Sequence, residues 1–288
     1  VTRREPSPTS RDLPAELRID AAATEALLVD FLRRELRRAG FSKVVVGLSG
    51  GVDSATSTAL ACRAVGRHNV LCALLPYRTS SPAGVRDAKR LARLFGTRSE
   101  RIDISPMIDA YFRRGRAAPR LRRGNKMARE RMSVLYDISV RDQRLVVGTS
   151  NKTEILLGYG TLFGDLASAL NPLGDLYKTQ VRQLALHLGV PEAIVWKTAT
   201  ADLWAGQSDE KDLGYRYRDI DRLLVRLVEM RESPKEAVAA GFPRRMVETL
   251  HRRIVGSQFK RRPPIIARLT SRAVNIDFRY PRDWGSRG

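Results

Sequence analysis

Apolar positions along the chain keep two rhythms. Leu27, Leu28, Phe31, Leu32 and Leu36 recur at the spacing of one helix face, which predicts a helix over 17–39 stopped by Gly40. A β-branched run over 43–48 reads as a buried strand. The alternation then repeats. Helices are predicted over 55–65, 84–95 and 125–141, and strands over 69–75, 101–104 and 145–147, with Gly66, Pro76 and Gly96 as stops. Strands separated by helix-length segments imply βαβ units and a mainly parallel sheet. Right-handed crossovers then place helices on both of its faces. From residue 178 the pattern turns helical, over 178–188, 191–196, 216–230, 234–240 and 243–255. The expected fold is therefore α/β, a doubly wound, Rossmann-like sheet with a helical C-terminal part. The polar, Pro-containing residues 1–15 are expected to form a flexible arm, and 16–288 a single domain.

Composition narrows the class. No apolar run reaches the roughly 18 residues of a membrane span, and the first residues lack a signal peptide's apolar core. Cys62 and Cys72 lie in apolar runs without metal or redox spacing, so they read as small buried hydrophobes in a protein of a reducing cytoplasm. The 52 basic against 31 acidic residues give a net charge of +21, which favours phosphorylated partners. The densest basic stretch, 112–126, reads as a solvated loop or a phosphate-attracting rim.

The candidate chemistry begins where the first strand ends. Gly47, Leu48, Ser49, Gly50, Gly51, Val52, Asp53 and Ser54 run from strand to helix, at the carboxyl end of a parallel strand, where such sheets bind ligands. The glycines let backbone approach a ligand, and the amides, hydroxyls and helix N-terminus offer donors to an anion. The lysine of a Walker loop is missing, and the G-x-G-x-x-G spacing is absent. Asp53 would repel a bare phosphate, so a bridging Mg2+ is implied.

Ser-Gly-Gly-Val-Asp-Ser resembles the signature of the ATP pyrophosphatases, which adenylate a substrate and release pyrophosphate. The stretches 124–137, 146–195, 200–221 and 260–265 closely resemble the ammonia-dependent NAD synthetases of that group. The resemblance implies an adenine-nucleotide α-hydrolase-like fold and two steps. The nicotinate carboxylate of deamido-NAD attacks the α-phosphate of ATP, and ammonia then displaces AMP to form the amide. It implies ATP contacts from residues 47–54, Thr149, Lys178 and Thr200, and Mg2+ ligation by Asp53 and Glu154. Arg129 and Lys260 would contact the dinucleotide, no protein nucleophile is needed, and a homodimer is implied. The length leaves no room for a glutaminase domain, so nitrogen arrives as ammonia or from another chain. The segment 204–212 is a candidate lid over ATP.

The resemblance breaks on one side only. Leu162 stands where the family usually has Lys, Leu166 and Ala167 where it has two glycines, Ala169 where it has Asp, and Phe259 where it has His. All of these fall on the dinucleotide side and none on the ATP side. Two readings follow: an NAD synthetase that compensates elsewhere, or a relative that activates a more apolar carboxylate. An RNA-modifying or RNA-binding role is the reading from another class, resting on the basic charge and on the fact that an RNA-thiolating relative would use the same Ser-Gly-Gly-Val-Asp-Ser loop. It is disfavoured because Cys62 and Cys72 are placed in the core.

Overall fold

The computed structural model describes residues 13–113, 118–204, 206–262 and 265–271. Four parallel strands, β1 Val44–Gly47, β2 Val70–Leu74, β3 Arg98–Arg101 and β4 Leu145–Val147, lie in the order β3-β2-β1-β4. The chain steps outward from β1 through helix α2 (Val52–Val65), β2 and α3 (Pro82–Leu94) to β3. It then returns to the far side of β1 through α4 (Ser105–Phe112) and α5 (Arg120–Asp142). The direction of winding therefore reverses between β1 and β4. The carboxyl ends of those two strands open the crevice in which doubly wound sheets bind ligands.

Alternate strand residues face opposite layers. Val44, Val46, Val70, Cys72 and Val147 join a core with α1 (Ala21–Arg38), α2, α3 and α7 (Lys178–His187). Val45, Leu71, Ala73 and Val146 join a second core with α4 and α5. A third core, centred on Tyr217, Leu223 and Leu250, assembles the C-terminal helices. These are α10 (Tyr217–Leu224), continued by a π-helical segment Val225–Glu229, then α11 (Pro234–Ala239) and α12 (Arg244–Gly256). Three short helices complete the fold: α6 (Lys152–Leu157), α8 (Glu192–Val195) and α9 (Asp209–Leu213). Among the described residues, no helix is long and apolar enough to cross a membrane.

Several expectations shift. The strand expected at 101–104 forms at Arg98–Arg101, an edge strand of polar, mostly exposed residues that the search for apolar runs passes over. Ile102 and Ile104 still donate from their amides to Leu74 and Pro76 carbonyls just beyond it. The helix expected from residue 17 begins at Ala21, because the Asp20 carboxylate caps it by accepting from the Ala23 amide. Leu27, placed on its apolar face, is exposed. The basic stretch 112–126 is not all loop, since α5 starts at Arg120; residues 114–117 lie outside the described residues. The arm expected at 1–15 likewise lies, through residue 12, outside them, while Leu13 is buried.

Cys72 is fully buried and Cys62 half-buried, and neither is in a disulfide. Burial, helped by the neighbouring Cys72, pushes the Cys62 thiol up to about 12. A raised thiol value means that folding favours the protonated form. Cys62 therefore costs no stability below its unfolded value, and its contribution is lost as pH rises from about 8.5 toward 12. Native-state alkylation of Cys62 should climb through that whole window rather than level off near pH 9. A plateau near pH 9, measured by iodoacetamide labelling and mass spectrometry, would contradict this.

Candidate active site

A cleft of about 700 Å3 opens at the carboxyl ends of β1, β2 and β4. Its floor is the loop that links β1 to α2. Gly50 holds φ +85, and a side chain there would overlap the Gly84 carbonyl oxygen at the start of α3. The loop is internally braced: the Ser49 amide donates to Ser54 Oγ at 3.2 Å, and Ser54 Oγ donates to the Gly51 carbonyl at 3.0 Å. No side chain caps the start of α2 at Gly51. Its first-turn amides, on residues that line the cleft, are therefore left to serve an anion. Gly50→Ala is expected to raise the ATP KM at least tenfold through misplaced amides, with a smaller change in Tm. An unchanged KM in steady-state kinetics would contradict that placement.

Two carboxylates meet over this floor. Asp53 lies in the first turn of α2, and Glu154 in the first turn of α6, which follows β4. Asn151 sets both. Its side-chain amide donates to Asp53 Oδ1 at 3.0 Å, its Oδ1 accepts from the Glu154 amide at 3.0 Å, and its own amide donates to Glu154 Oε2 at 3.4 Å. Between the carboxylates sits the Lys178 ammonium, 2.5 Å from Asp53 Oδ2 and 3.3 Å from Glu154 Oε1. Lys178 is only 1% exposed and lies over the Tyr217 ring. Asp209, fully lodged at the start of α9, accepts from the Tyr159 and Tyr217 hydroxyls at 3.0 and 3.2 Å. Burial alone would drive the Lys178 ammonium down, but Asp53, Glu154 and Asp209 outweigh it and hold it up. Burial pushes the Glu154 carboxyl up against the pull of Lys178.

Both short helices that carry this chemistry are anchored from behind. Buried Asp221, on α10, accepts from Thr153 Oγ1 at 2.6 Å and from the Thr179 amide and hydroxyl at 2.8 Å each. That ties the starts of α6 and α7 together, and the Lys178 amide adds a bond to Thr153 Oγ1 at 3.0 Å. Burial pushes the Asp221 carboxyl up to about 6 despite these bonds. Two hard carboxylate oxygens already share one cation at the mouth of an anion-binding loop, and this donor set suits Mg2+ shared with phosphates.

All the residues expected at the ATP side, Gly47 to Ser54, Thr149, Lys178 and Thr200, line the cleft, as does Glu154. The dinucleotide side is gathered less. Lys260 reaches the cleft, with two of its ammonium's three donors on the Gly158 and Gly160 carbonyls, 2.7 Å each. Arg129 is exposed and donates to the Leu162 carbonyl at 3.1 Å. Ala169 and Phe259 are exposed, and neither they nor Leu162 and Leu166 line this cleft. Leu166 instead packs on Gly160.

Sequence reasoning missed Asn151, Asp209 and Arg131. Arg131 lines the cleft and clamps the turn after β2, donating to the Leu75 carbonyl at 3.0 Å and to Ser80 Oγ at 3.4 Å. The same turn is gripped from the other side by Asp202, whose two oxygens accept from the Ser81 amide. Leu203 and Trp204 lie against Gly124 of α5, so the segment expected as a lid sits on the cleft wall. Asn151 had a legible signal, since Asn three residues before Glu at a helix start is a capping pattern. Asp209 and Arg131 had none, because their roles come from tertiary placement.

The NAD synthase family model matches residues 25–264. The NH(3)-dependent NAD(+) synthetase of Chlorobium phaeobacteroides (strain BS1) is 52% identical over 268 residues, 93% of this chain and 97% of that protein. The NH(3)-dependent NAD(+) synthetase of Trichlorobacter lovleyi is 51% identical over 271 residues, covering 94% and 99%. Among solved structures, NMN synthetase from Francisella tularensis superposes with TM-score 0.76 at 29% identity, covering 87% of this chain and 99% of that one. The NH3-dependent NAD synthetase from Campylobacter jejuni superposes with TM-score 0.74 at 33% identity, covering 87% and 100%.

Proposed function

The chain belongs to the NAD synthase family, and on that footing we propose that the cleft activates the nicotinate carboxylate of deamido-NAD with ATP and passes it to ammonia. The chain is an ATP-dependent amide-forming ligase, with ATP as substrate and Mg2+ as its metal. The observation that carries the reading is the convergence of Asp53, Glu154 and Lys178 over the Ser49–Ser54 loop.

The residues divide the work as follows. The α2 amides and Ser49 hold the β- and γ-phosphates, which leave together as pyrophosphate. Asp53 and Glu154 would hold Mg2+, which would supply positive charge to those phosphates. Lys178, held between the two carboxylates at the mouth of the loop, would donate to a phosphate oxygen. Thr149 and Thr200 border the nucleotide from the β4 side and from the segment after α8. A carboxylate oxygen of the substrate attacks the α-phosphorus and the bond to pyrophosphate breaks. Ammonia then attacks the acyl carbon, the bond to AMP breaks, and a proton is lost to solvent. The protein supplies position and fixed charge, not a nucleophile. Arg129 and Lys260 serve the dinucleotide, in a cytoplasmic homodimer whose second copy completes that side.

A more apolar carboxylate is the rival reading. It rests on Leu162, Leu166, Ala169 and Phe259, none of which lines the cleft of the single chain, whereas relatives at about half identity are named for NAD. A pyrophosphate-release assay with ATP, Mg2+ and ammonia decides between them. Deamido-NAD should outpace nicotinate mononucleotide and a panel of apolar acids by at least tenfold in kcat/KM. Preference for an apolar acid would overturn the proposal.

A further inference from the structure

A second concavity lies at the opposite, amino-terminal end of the sheet. It is a shallow groove of about 520 Å3 between the starts of β1, β3 and β4, and Val140 supplies its one apolar side chain. Lys43 precedes β1, Arg98 opens β3, and Arg141 and Arg144 flank the turn into β4. Topology brings these cations together from positions up to a hundred residues apart.

Their pairing is uneven. Arg141 is saturated, with Glu100 at 2.7 Å and Asp142 at 2.9 Å. Arg144 is 5% exposed; one of its terminal nitrogens donates to the Val44 and Asn69 carbonyls at 3.2 and 2.8 Å. Its Nε, however, is buried with no hydrogen-bond acceptor, and the nearest carboxylate oxygen, on Asp142, is 3.7 Å away. No hydrogen bond or ion pair joins the Lys43 or Arg98 side chain to another described residue. Four cations thus face two carboxylates, two of the cations are unspent, and a third keeps a buried donor without an acceptor. Burial, opposed by Asp142 and reinforced by Arg98 and Arg141, pulls the Arg144 guanidinium down. A buried donor of a charged group left without an acceptor is costly.

We propose that this groove is a second anion site, separate from the ATP cleft, and that it takes a phosphoryl group. Guanidinium forks match phosphate oxygens in geometry. The groove offers no aromatic face to a nucleobase, so the recognised chemistry is the phosphate itself, whether inorganic or carried by a nucleotide. Because Arg144 ties Val44, at the start of β1, to Asn69, just before β2, occupancy would stiffen the strand whose other end carries the catalytic loop.

The test titrates the full-length protein, 15N-labelled, with inorganic phosphate, pyrophosphate and AMP, each against sodium chloride of equal ionic strength. Phosphate or pyrophosphate is expected to shift the amides of Arg98 and Asp142–Arg144. Lys43→Gln with Arg98→Gln, both exposed and remote from the cleft, should weaken that binding at least tenfold while kcat for pyrophosphate release stays unchanged. Shifts at those amides with AMP alone would assign the phosphoryl group to a nucleotide and still support the site. Shifts confined to Gly50 and Gly51, equal shifts with chloride, or unchanged binding by the double variant would each overturn it.

Discussion

Lys178→Met is expected to remove pyrophosphate release, by 10^3-fold or more, and to destabilise the protein at the same time. The side chain is 1% exposed, and among the described residues its ammonium is the one cation hydrogen-bonded to both Asp53 and Glu154. Methionine fills the same volume without charge, so packing against Tyr217 survives while two buried-side carboxylates, with Asp209 near them, lose their counter-charge. Breaking a buried ion pair from one side costs about 3–5 kcal/mol. For a chain of this size that lowers Tm by about 5–8 °C. Loss of one positioned charge at a phosphoryl-transfer site costs about 10^2–10^3 in rate, and the displaced carboxylates add to it. Differential scanning fluorimetry and a coupled pyrophosphate assay read the two effects. Arginine should not rescue, because its planar fork does not fit a site shaped for a compact ammonium.

Asp53→Asn should cost as much activity and little stability. The amide keeps one oxygen, which accepts from Asn151 or from Lys178, so one of the two contacts at 3.0 and 2.5 Å has a substitute. Three carboxylates crowd one ammonium, and removing one negative charge relieves Glu154, whose carboxyl Asp53 helps to push up after burial itself. Tm should stay within about 2 °C or rise. The charge that attracts the metal is halved, however, and kcat should fall by about 10^3-fold, with the Mg2+ concentration needed for half-maximal rate raised. The contrast between the two variants separates roles: Lys178 serves both the fold and the reaction, Asp53 chiefly the reaction. If Asp53→Asn lost stability as Lys178→Met does, or kept activity, that division would be wrong.

The sheet and its cleft were legible because β1, β2 and β4 are largely buried apolar runs that end in turn signals, and the glycines after β1 stand at a ligand-binding strand end. β3 escaped because an edge strand buries little and Arg98–Arg101 carries no apolar alternation. Helices α4, α6 and α9 escaped for another reason. They span eight, six and five residues, too short for a helical period to separate from noise. The ATP-side residues were readable as a contiguous loop plus single positions fixed by resemblance. Asp209, Arg131 and the bracing carboxylate Asp221 were not, because each is polar in a chain rich in charge and acquires meaning only from what it touches. The groove at the amino-terminal end of the sheet is the extreme case, since Lys43, Arg98 and Arg144 share no local pattern.

The central claim is that a carboxylate attacks the α-phosphate of ATP in this cleft. Deamido-NAD labelled with 18O in its carboxylate, incubated with ATP, Mg2+ and ammonia, tests it most directly. The account predicts one label in the phosphate of AMP for each amide formed, with pyrophosphate unlabelled. Label in pyrophosphate or inorganic phosphate, or amide formed with AMP unlabelled, would contradict it.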